Sequence, residues 1–288
     1  MIKSNSNGQE STVSGVTAFD SDGFTLGAGG DSNGNNETYA SWNWKAGTGQ
    51  GSSNTDGSIN TTYTSVNTTA GFSISKYTGT GSNATVGHGL GVAPKIVIIK
   101  KTSGADDWKV YHASVGATKS LVLQGTNAET SDSTSFNSTA PTTSVFSVGT
   151  SSATNTSGQT YIAYCFAEKT GYSKFGSYQG NNNSNGSFCY LGFKASFIMV
   201  KSSSAGGSAT YSWSMFDNKR TSYNGQKAQL EANTNDAEVT DDTGLIDILS
   251  NGFKLRYSPN DTNGNNTYIY MAFGQSLVGS NNVPCTAR

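Results

Sequence analysis

The stretch YTGTGSNATVGHGLGVAPKIVIIK, residues 77–100, aligns without a gap with YQGNNNSNGSFCYLGFKASFIMVK, residues 178–201. Both stretches begin with tyrosine, pass through a Gly- and Asn-rich segment and end in an apolar run followed by lysine. Later blocks repeat in the same order: DWKVYH and SWSMFD, then TYIAYCF and TYIYMAF. Such long internal similarity is the sequence sign of a structural unit used more than once. The sequence therefore contains two consecutive copies of one unit.

A third copy is partial. The segment DGFTLGAGGDSNGNNETYASWNWKA, residues 22–46, repeats only the end of the unit and places Tyr39 where the complete copies have Tyr161 and Tyr268. Half a unit leaves its apolar face uncovered. We therefore expect either that the sequence begins inside a longer protein or that a neighbouring region or chain completes this half unit.

These copies divide the chain into four parts. Residues 1–46 hold the N-terminal partial unit, and residues 47–71 form a Ser/Thr/Asn/Gly-rich linker, which we expect to be flexible and exposed. Unit one spans residues 72–170, and unit two with a C-terminal tail spans residues 171–288. The short junction between the two units predicts that they pack closely.

The apolar pattern indicates strands. At the end of each copy large apolar residues alternate with other types, which predicts a half-buried strand: Ala40, Trp42 and Trp44; Ile162, Tyr164 and Phe166; Ile269, Met271 and Phe273. The runs 96–99 and 197–200 are continuously apolar and predict strands buried on both faces. The segment 224–233 could form a short helix, but it aligns with a strand-like segment at 119–127. The fold class is thus all-β, with tandem antiparallel β-sandwich units of a jelly-roll or concanavalin-like type, and a closed barrel as the alternative.

The composition limits the classes of molecule that we expect the protein to bind. The chain of 288 residues has a formal net charge of −1, and its charged residues, 13% of the total, are scattered singly. Nucleic-acid binding needs a basic surface, so we expect no nucleic-acid partner. No apolar run has the ~18 residues of a membrane span, so we expect no membrane insertion, and no secretory signal follows Met1.

The glycines of the first copy are the strongest candidate for a phosphate-binding loop. Such a loop lies between a strand and a helix, whereas here a strand follows the glycines. The second copy keeps only Gly192 of this set. Gly87, Gly89, Gly91 and Pro94 therefore predict a turn that leads into the buried strand.

Catalytic and metal-binding patterns are weak. His88 and His112, the only histidines, have no histidine counterparts in unit two, and no GxSxG motif occurs. The acidic pairs Asp106–Asp107 and Asp241–Asp242 also lack counterparts, which argues against a glycosidase. We expect neither an enzyme nor a cofactor.

Two Asx-rich segments have the alternate spacing of oxygen ligands that can hold Ca²⁺: Asp31, Asn33 and Asn35; Asp261, Asn263 and Asn265. No bidentate acid follows either segment at the required distance, so turns explain the same residues more simply. Whether either set holds an ion is left open by the sequence. Among the three cysteines, Cys165 and Cys189 are interpreted as small strand residues, and Cys285 completes an odd number without a CxxC pair.

Aromatic residues in polar surroundings suit carbohydrate, because rings stack on sugar faces while amides and hydroxyls bond to sugar hydroxyls. Tyr63, Tyr211 and Tyr223 are the candidates for such contacts, although ordinary packing explains each of them taken singly.

The motifs HGLGVAPKIVIIK, DWKVYH, TYIAYCFAEKTGYSKFGSYQGN, FIMVK, LSNGFKLR and TYIYMAF resemble an uncharacterised repeat module of tailed bacteriophages, common in marine and cyanobacterial phages. The resemblance covers roughly residues 15–288, and the ending NNVPCTAR looks like a natural terminus of such proteins. It implies a virion structural protein, usually of a tail fibre, without catalytic residues.

The expected function is therefore a non-enzymatic tail-fibre or tail-associated module that attaches to polysaccharide on the host surface. The expected partners are the chain itself, as a homo-oligomer and most simply a trimer, together with other virion proteins. The expected location is the virion. The alternatives are a capsid decoration or head-fibre protein, a carbohydrate-active enzyme and a host surface adhesin.

Overall fold

The computed structural model describes residues 1–13, 15–221, 224–240 and 245–274. It is nearly all β, with 37% of residues in strands and 4% in helices. The predicted all-β class with antiparallel sandwich units is confirmed. The segment around 224–233 contains a strand rather than a helix, as its alignment with residues 119–127 indicates.

The described strands, in chain order, are Val16–Phe19 (β1), Phe24–Leu26 (β2), Tyr63–Asn67 (β3), Phe72–Thr78 (β4), Ala84–Gly87 (β5), Ile96–Lys101 (β6), Lys109–His112 (β7), Lys119–Val122 (β8), Thr130–Ser131 (β9), Val145–Val148 (β10), Thr160–Phe166 (β11), Ser173–Gln179 (β12), Phe188–Tyr190 (β13), Ala195–Ser202 (β14), Ser214–Asp217 (β15), Ala228–Glu231 (β16), Val239–Thr240 (β17), Ile246–Leu249 (β18), Gly252–Leu255 (β19) and Thr267–Gly274 (β20). The described helices are single turns at Gly30–Asn33 (α1) and Ser152–Asn155 (α2), with a 3₁₀ turn at Ala209–Tyr211.

Corresponding strands occupy corresponding places in the two complete units. Unit one has a seven-stranded sheet in the order β3-β4-β11-β6-β7-β8-β9 and a small sheet of β5 and β10. Unit two has a six-stranded sheet in the order β12-β20-β14-β15-β16-β17 and a small sheet in the order β13-β19-β18. The partial unit contributes the hairpin of β1 and β2, which matches β18 and β19.

Each complete unit is a two-layer sandwich. In unit one the large sheet packs on the small sheet through a cluster that includes Tyr77, Val86, Phe146 and Tyr161. In unit two the matching cluster includes Tyr268, Ile198 and Phe253. Burial of these aromatic and aliphatic side chains is the main favourable free-energy contribution of each sandwich.

A third hydrophobic cluster joins the units. The faces of the two large sheets that point away from their own small sheets share it, and Trp42 and Trp44 of the partial unit pack against it. The shared cluster includes Tyr164 and Phe166 of β11 and Ile269, Met271 and Phe273 of β20, whereas Tyr161 and Tyr268 face the sandwich interiors. The half-buried strand predicted at the end of unit one is found in β11, although its fully buried face is the one that carries Tyr161, Ala163 and Cys165. The same prediction is wrong for β20, because the close packing of the units buries both of its faces.

The three copies surround a common point. Trp44, Phe166 and Phe273 occupy equivalent positions in the partial unit, unit one and unit two. Their rings contact one another pairwise, with centroid distances of 6.5 Å (Trp44–Phe166), 5.3 Å (Trp44–Phe273) and 5.8 Å (Phe166–Phe273). Three equivalent residues in mutual contact indicate a pseudo-threefold arrangement of the copies.

Hydrogen bonds between copies follow the same relation. The buried Lys100 of unit one donates from Nζ to the Asn7 carbonyl (3.1 Å), and Lys201 of unit two donates from Nζ to the Thr126 carbonyl (3.3 Å). Two more hydrogen bonds repeat in the same way. Trp108 Nε1 donates to the Lys3 carbonyl, as Trp213 Nε1 donates to the Val122 carbonyl. The Glu10 N–H donates to the Thr102 carbonyl, as the Glu129 N–H donates to the Ser203 carbonyl. Residues 3–10 therefore make the same contacts with unit one that residues 122–129 make with unit two. The partial copy thus includes residues 3–10, although its sequence similarity to the other copies is visible only from residue 22.

The expected flexible linker is packed against unit one, contrary to the prediction. Ile59 is buried in the unit one cluster, and its backbone N–H donates to the Thr85 carbonyl at 2.9 Å. Ser58 and Thr85 exchange hydrogen bonds between backbone and side chain, and β3 joins the edge of the seven-stranded sheet. Ser, Thr and Asn side chains satisfy the backbone of this segment, which is why a polar composition does not make it loose.

Candidate functional site

One tyrosine per copy fastens a tight turn. The hydroxyl of Tyr161 donates to the Ser152 carbonyl (2.7 Å) and accepts from the Thr156 N–H (2.8 Å). In the other copies the hydroxyls of Tyr39 and Tyr268 donate to Gly30 O (2.9 Å) and Asn260 O (2.7 Å). These repeated tyrosines belong to the scaffold, and function is to be sought where the copies differ.

The two histidines make hydrogen bonds to backbone groups and do not form a catalytic pair. His88 is buried behind β5, where its Nδ1 accepts from the Leu90 N–H at 3.1 Å and its Nε2 lies 3.2 Å from the Thr142 carbonyl. His112 is buried between the units, with Nδ1 accepting from the Ser114 N–H at 3.1 Å and Nε2 3.3 Å from the Tyr270 carbonyl. Burial lowers the pKa of both, that of His112 to about 4, so both imidazoles are neutral near pH 7.

The structure does not gather either Asx-rich set around one point. Asp31 pairs with Lys3 at 2.7 Å, and the Asn33 amide donates to the Gly27 carbonyl. Asp261 accepts from Gln229 Nε2 at 2.7 Å, whereas the Asn263 amide fastens the 181–185 loop by donating to Asn181 Oδ1 and Asn183 O. Asn35 and Asn265 are exposed and lie in the turn and the bend that follow. Within the described residues, no group of three or more His, Cys, Asp or Glu side chains is arranged to hold a metal ion.

Two carboxyl groups lie close together in unit two: Asp261 of the second Asx-rich set, and Glu231, which the sequence did not single out. The Gln229 amide donates to Asp261 (2.7 Å) and to Glu231 (3.3 Å), and burial raises the pKa of both carboxyls. Neither lines the groove described below. Of the predicted acidic pairs, Asp106 lies 3.8 Å from Lys101 and Asp107 accepts from Gln124, while Asp241–Asp242 fall outside the described residues.

The predicted sugar-stacking tyrosines are dispersed. Tyr63 lies on the edge strand β3, with Lys76 Nζ 5.9 Å from its ring centroid, and Tyr211 lies in the 3₁₀ turn. Tyr223 and Cys285 are outside the described residues. Cys165 and Cys189 are buried free thiols on β11 and β13, as predicted for small strand residues, and burial raises the pKa of both.

An aromatic strip that sequence reasoning missed lies on the outer surface of unit two. Phe188 and Tyr190 alternate with buried Cys189 on β13, and their exposed fractions are 46% and 59%. The Phe188 ring lies over Gly252, where a Cβ atom added to the glycine would be 3.1 Å from the ring. The Tyr190 hydroxyl lies near Gly192, where an added Cβ atom would be 3.6 Å from the hydroxyl oxygen. Lys174 Nζ lies 5.1 Å from the Tyr190 ring centroid and donates to the Tyr190 carbonyl at 2.8 Å. The strip is thus a supported, solvent-facing aromatic surface with a cation beside it.

Unit one has no such strip. Its equivalent strand β5 pairs Val86 with Phe146, as β13 pairs Cys189 with Phe253. Thr85 and Gly87 therefore stand where unit two has Phe188 and Tyr190. Residues 57–59 lie along β5 there, and Asn54 packs on Gly87. The aromatic strip is specific to unit two and is not required by the shared scaffold.

The second distinctive surface is a groove of about 440 Å³ between the partial unit and unit two, here called the seam groove. Trp42 and Trp44 line one side, and Asp217 and Arg220 line the other. Trp42 Nε1 donates to Asp217 Oδ2 at 3.2 Å, and the Arg220 guanidinium carbon lies 5.4 Å from the Trp42 ring centroid. Burial opposes ionisation of Asp217, but hydrogen bonds from Arg220 outweigh it, so the pKa of this carboxyl lies below its usual value.

Another cavity, of about 530 Å³, lies between residues 9–13 and Thr102, Ser103 and Thr160. Its lining contains no aromatic residue. Among the described residues, no helix has the length and apolar character of a membrane span.

Comparison with known families matches residues 1–276 to a domain of unknown function, DUF7483. No curated protein matches the chain, and no solved structure matches it. Since the match includes the partial unit as well as both complete units, the chain belongs to the DUF7483 family.

Proposed function

We propose that this protein is a non-enzymatic attachment module of a bacteriophage virion, part of a tail fibre or tail-associated structure, that binds host-surface polysaccharide. The observation that carries the glycan part is the aromatic strip of Phe188 and Tyr190, which is exposed and specific to unit two. The phage part is supported by the sequence resemblance. A homo-oligomer, with three chains as the simplest form, belongs to the same proposal.

The chemistry of the strip suits a sugar chain. Side chains two apart on a strand lie ~7 Å from each other, so neighbouring sugar rings of one chain can stack on the two aromatic rings. The preceding loop, residues 182–185, exposes amides and a hydroxyl that can hydrogen-bond to sugar hydroxyls. Lys174 adds a positive charge that favours an acidic polysaccharide.

Binding to an array of bacterial surface polysaccharides tests this function. We expect the double variant Phe188→Ala/Tyr190→Ala to weaken binding at least about tenfold, since two stacking contacts of ~1 kcal/mol each are lost. Phe19→Ala is the matched control, because Phe19 is an exposed aromatic residue of the partial unit. Equal affinity of the double variant and the native protein would rule out the strip as the glycan site.

A second candidate function is capsid decoration or a head fibre, and the seam groove favours it because the groove suits a protein partner better than a solvent-facing sugar chain. Antibody labelling of intact particles separates the two. Label on the tail agrees with attachment, whereas label over the head favours decoration and removes the support for tail-based attachment.

A further inference from the structure

Two lysines of unit two flank the aromatic strip. Lys174 reaches the strip from β12, and its Nζ lies 5.1 Å from the Tyr190 ring centroid and donates to the Tyr190 carbonyl at 2.8 Å. Lys254 lies on β19 directly opposite Phe188, so the two side chains share the outer face of the small sheet. The Lys254 Nζ donates to the carbonyl of Gly186, just before β13, at 2.7 Å. The two ammonium groups are thus held at opposite ends of the strip.

Unit one carries neutral residues at both of these places. Strand pairing matches Lys174 with Ser73, because β12 and β4 pair in the same register with the equivalent strands β20 and β11. It matches Lys254 with Ser147 in the small sheets. The two aromatic residues of the strip and the two lysines therefore occur together in unit two and are all replaced in unit one. The shared scaffold requires none of the four.

Acidic side chains do not cancel the charge of these lysines. Asp247 lies opposite Lys254 on β18, but its carboxylate pairs with Arg256 at 3.1 Å. Each ammonium group has three N–H donors, and within the described part of the chain Lys174 and Lys254 each use one of them on a backbone carbonyl. The surface around the strip therefore has an excess of positive charge and donors left for a ligand.

The spacing of the ammonium groups favours a polymer over a single small anion. The carbonyls of Gly186 and Tyr190, which hold the two groups, are four residues apart on an extended segment, a separation of roughly 13 Å. Both aromatic rings lie between these carbonyls. One chain of sugars can therefore stack on the rings and present a negative charge to each lysine.

We propose that the ligand of the aromatic strip is an acidic polysaccharide whose anionic groups, carboxylate or sulfate, are bound by Lys174 and Lys254. This proposal rests on the glycan function proposed above and specifies the class of glycan. A sugar stacked on Tyr190 has its substituents at the rim of the aromatic ring, within reach of the Lys174 ammonium group. A substituent of the sugar above Phe188 meets Lys254 in the same way.

Paired polysaccharides test the class of ligand. Each acidic bacterial polysaccharide on the array is presented in its native form and after removal of its charge, by carboxyl reduction for uronates and by desulfation for sulfated chains. We expect the protein to bind an acidic form at least about tenfold more tightly than its neutral counterpart. The two treatments show whether the bound group is a carboxylate or a sulfate.

Variants of the lysines test the contacts. At about 0.05 M salt, Lys174→Gln/Lys254→Gln should bind the acidic form about five- to tenfold more weakly than the native protein, because two exposed ion pairs are lost. This difference should shrink at about 0.5 M salt, where exposed charges are screened. Lys174→Arg/Lys254→Arg keeps both charges and should bind as the native protein does. Lys76→Gln is the matched control, because Lys76 Nζ lies 5.9 Å from the ring centroid of Tyr63 in unit one. Matched melting temperatures confirm that each variant folds.

Equal affinity of the native protein for the acidic and neutral forms would overturn the proposed class of ligand. If that binding were still lost in Phe188→Ala/Tyr190→Ala, the strip would remain a glycan site, so the two proposals fail separately. Unchanged binding of the acidic form by Lys174→Gln/Lys254→Gln would also overturn the role of the lysines. Absence of binding to every polysaccharide on the array would overturn both proposals.

Discussion

Single positions of the repeat show how one scaffold accepts different chemistry. His112 and Asp217 end equivalent strands, and each contacts the next copy, through the Tyr270 carbonyl and the Trp42 indole N–H. The histidine is neutral and enclosed, whereas the carboxylate is ionised and paired with Arg220. The same place in the fold is therefore a neutral contact at one seam and a charged contact at the other.

His112 makes stability depend on pH. Burial lowers its folded-state pKa to about 4, against 6.5 for an ordinary histidine. Between these values the unfolded chain binds a proton that the folded chain does not, so stability falls as pH drops from about 6.5 to 4. We expect this residue to account for a loss of about 3 kcal/mol across the window.

Urea denaturation at pH 7 and pH 4.5 measures this effect. The variant His112→Gln keeps an acceptor for Ser114 and a donor for Tyr270 but does not titrate, so it should lose less stability over the window than the native protein. His88 is present in both proteins, so its titration contributes equally to both losses of stability and does not affect the difference between them. Identical losses in the two proteins would show that His112 titrates normally.

At the level of elements, the segment before β3 matters as much as the regular strands. Residues 57–59 cover β5 in unit one, and their absence from the equivalent place in unit two leaves the aromatic strip open. A segment with the composition of a linker thus decides which unit exposes aromatic side chains on this strand.

Ile59 tests this role. It is buried in the unit one cluster, so Ile59→Ala should destabilise the protein by about 2–4 kcal/mol through lost burial and the cavity left behind. Val92→Ala, at an exposed loop position, should change stability by less than about 0.5 kcal/mol. A neutral Ile59→Ala in urea denaturation would mean that the segment is loose, as its composition suggests.

The sequence predicted the repeat and the all-β class, because similarity between copies and alternating apolar residues report local structure directly. Of the residues predicted to shape a turn, Gly89, Gly91 and Pro94 lie in the loop between β5 and β6, whereas Gly87 is the last residue of β5 and pairs with Val145. It did not reveal that β20 is buried on both faces, or that the fully buried face of β11 is the one that carries Tyr161 and Cys165, since the layers that cover these faces are far away in the chain. The aromatic strip was hidden because the gapless alignment matches Cys189 with His88, whereas strand pairing matches Cys189 with Val86. Loops of different length place β5 and β13 two residues out of register in the gapless alignment. Only the pairing of β5 with β10 and of β13 with β19 shows which residues are equivalent.

For the whole molecule, the central point is that three copies share one core. The ring contacts of Trp44, Phe166 and Phe273 join the partial unit to both complete units, and Trp108 and Trp213 lie in the same cluster. An interface of this apolar character couples the units energetically, so neither is expected to unfold alone.

Differential scanning calorimetry of the native protein and Trp44→Ala tests this shared core most directly. The native protein should show one transition with equal calorimetric and van't Hoff enthalpies. Trp44→Ala should move that whole transition to lower temperature, corresponding to about 2–4 kcal/mol, without splitting it. Two separate transitions in the native protein, or an unchanged transition in Trp44→Ala, would contradict a core shared by all three copies.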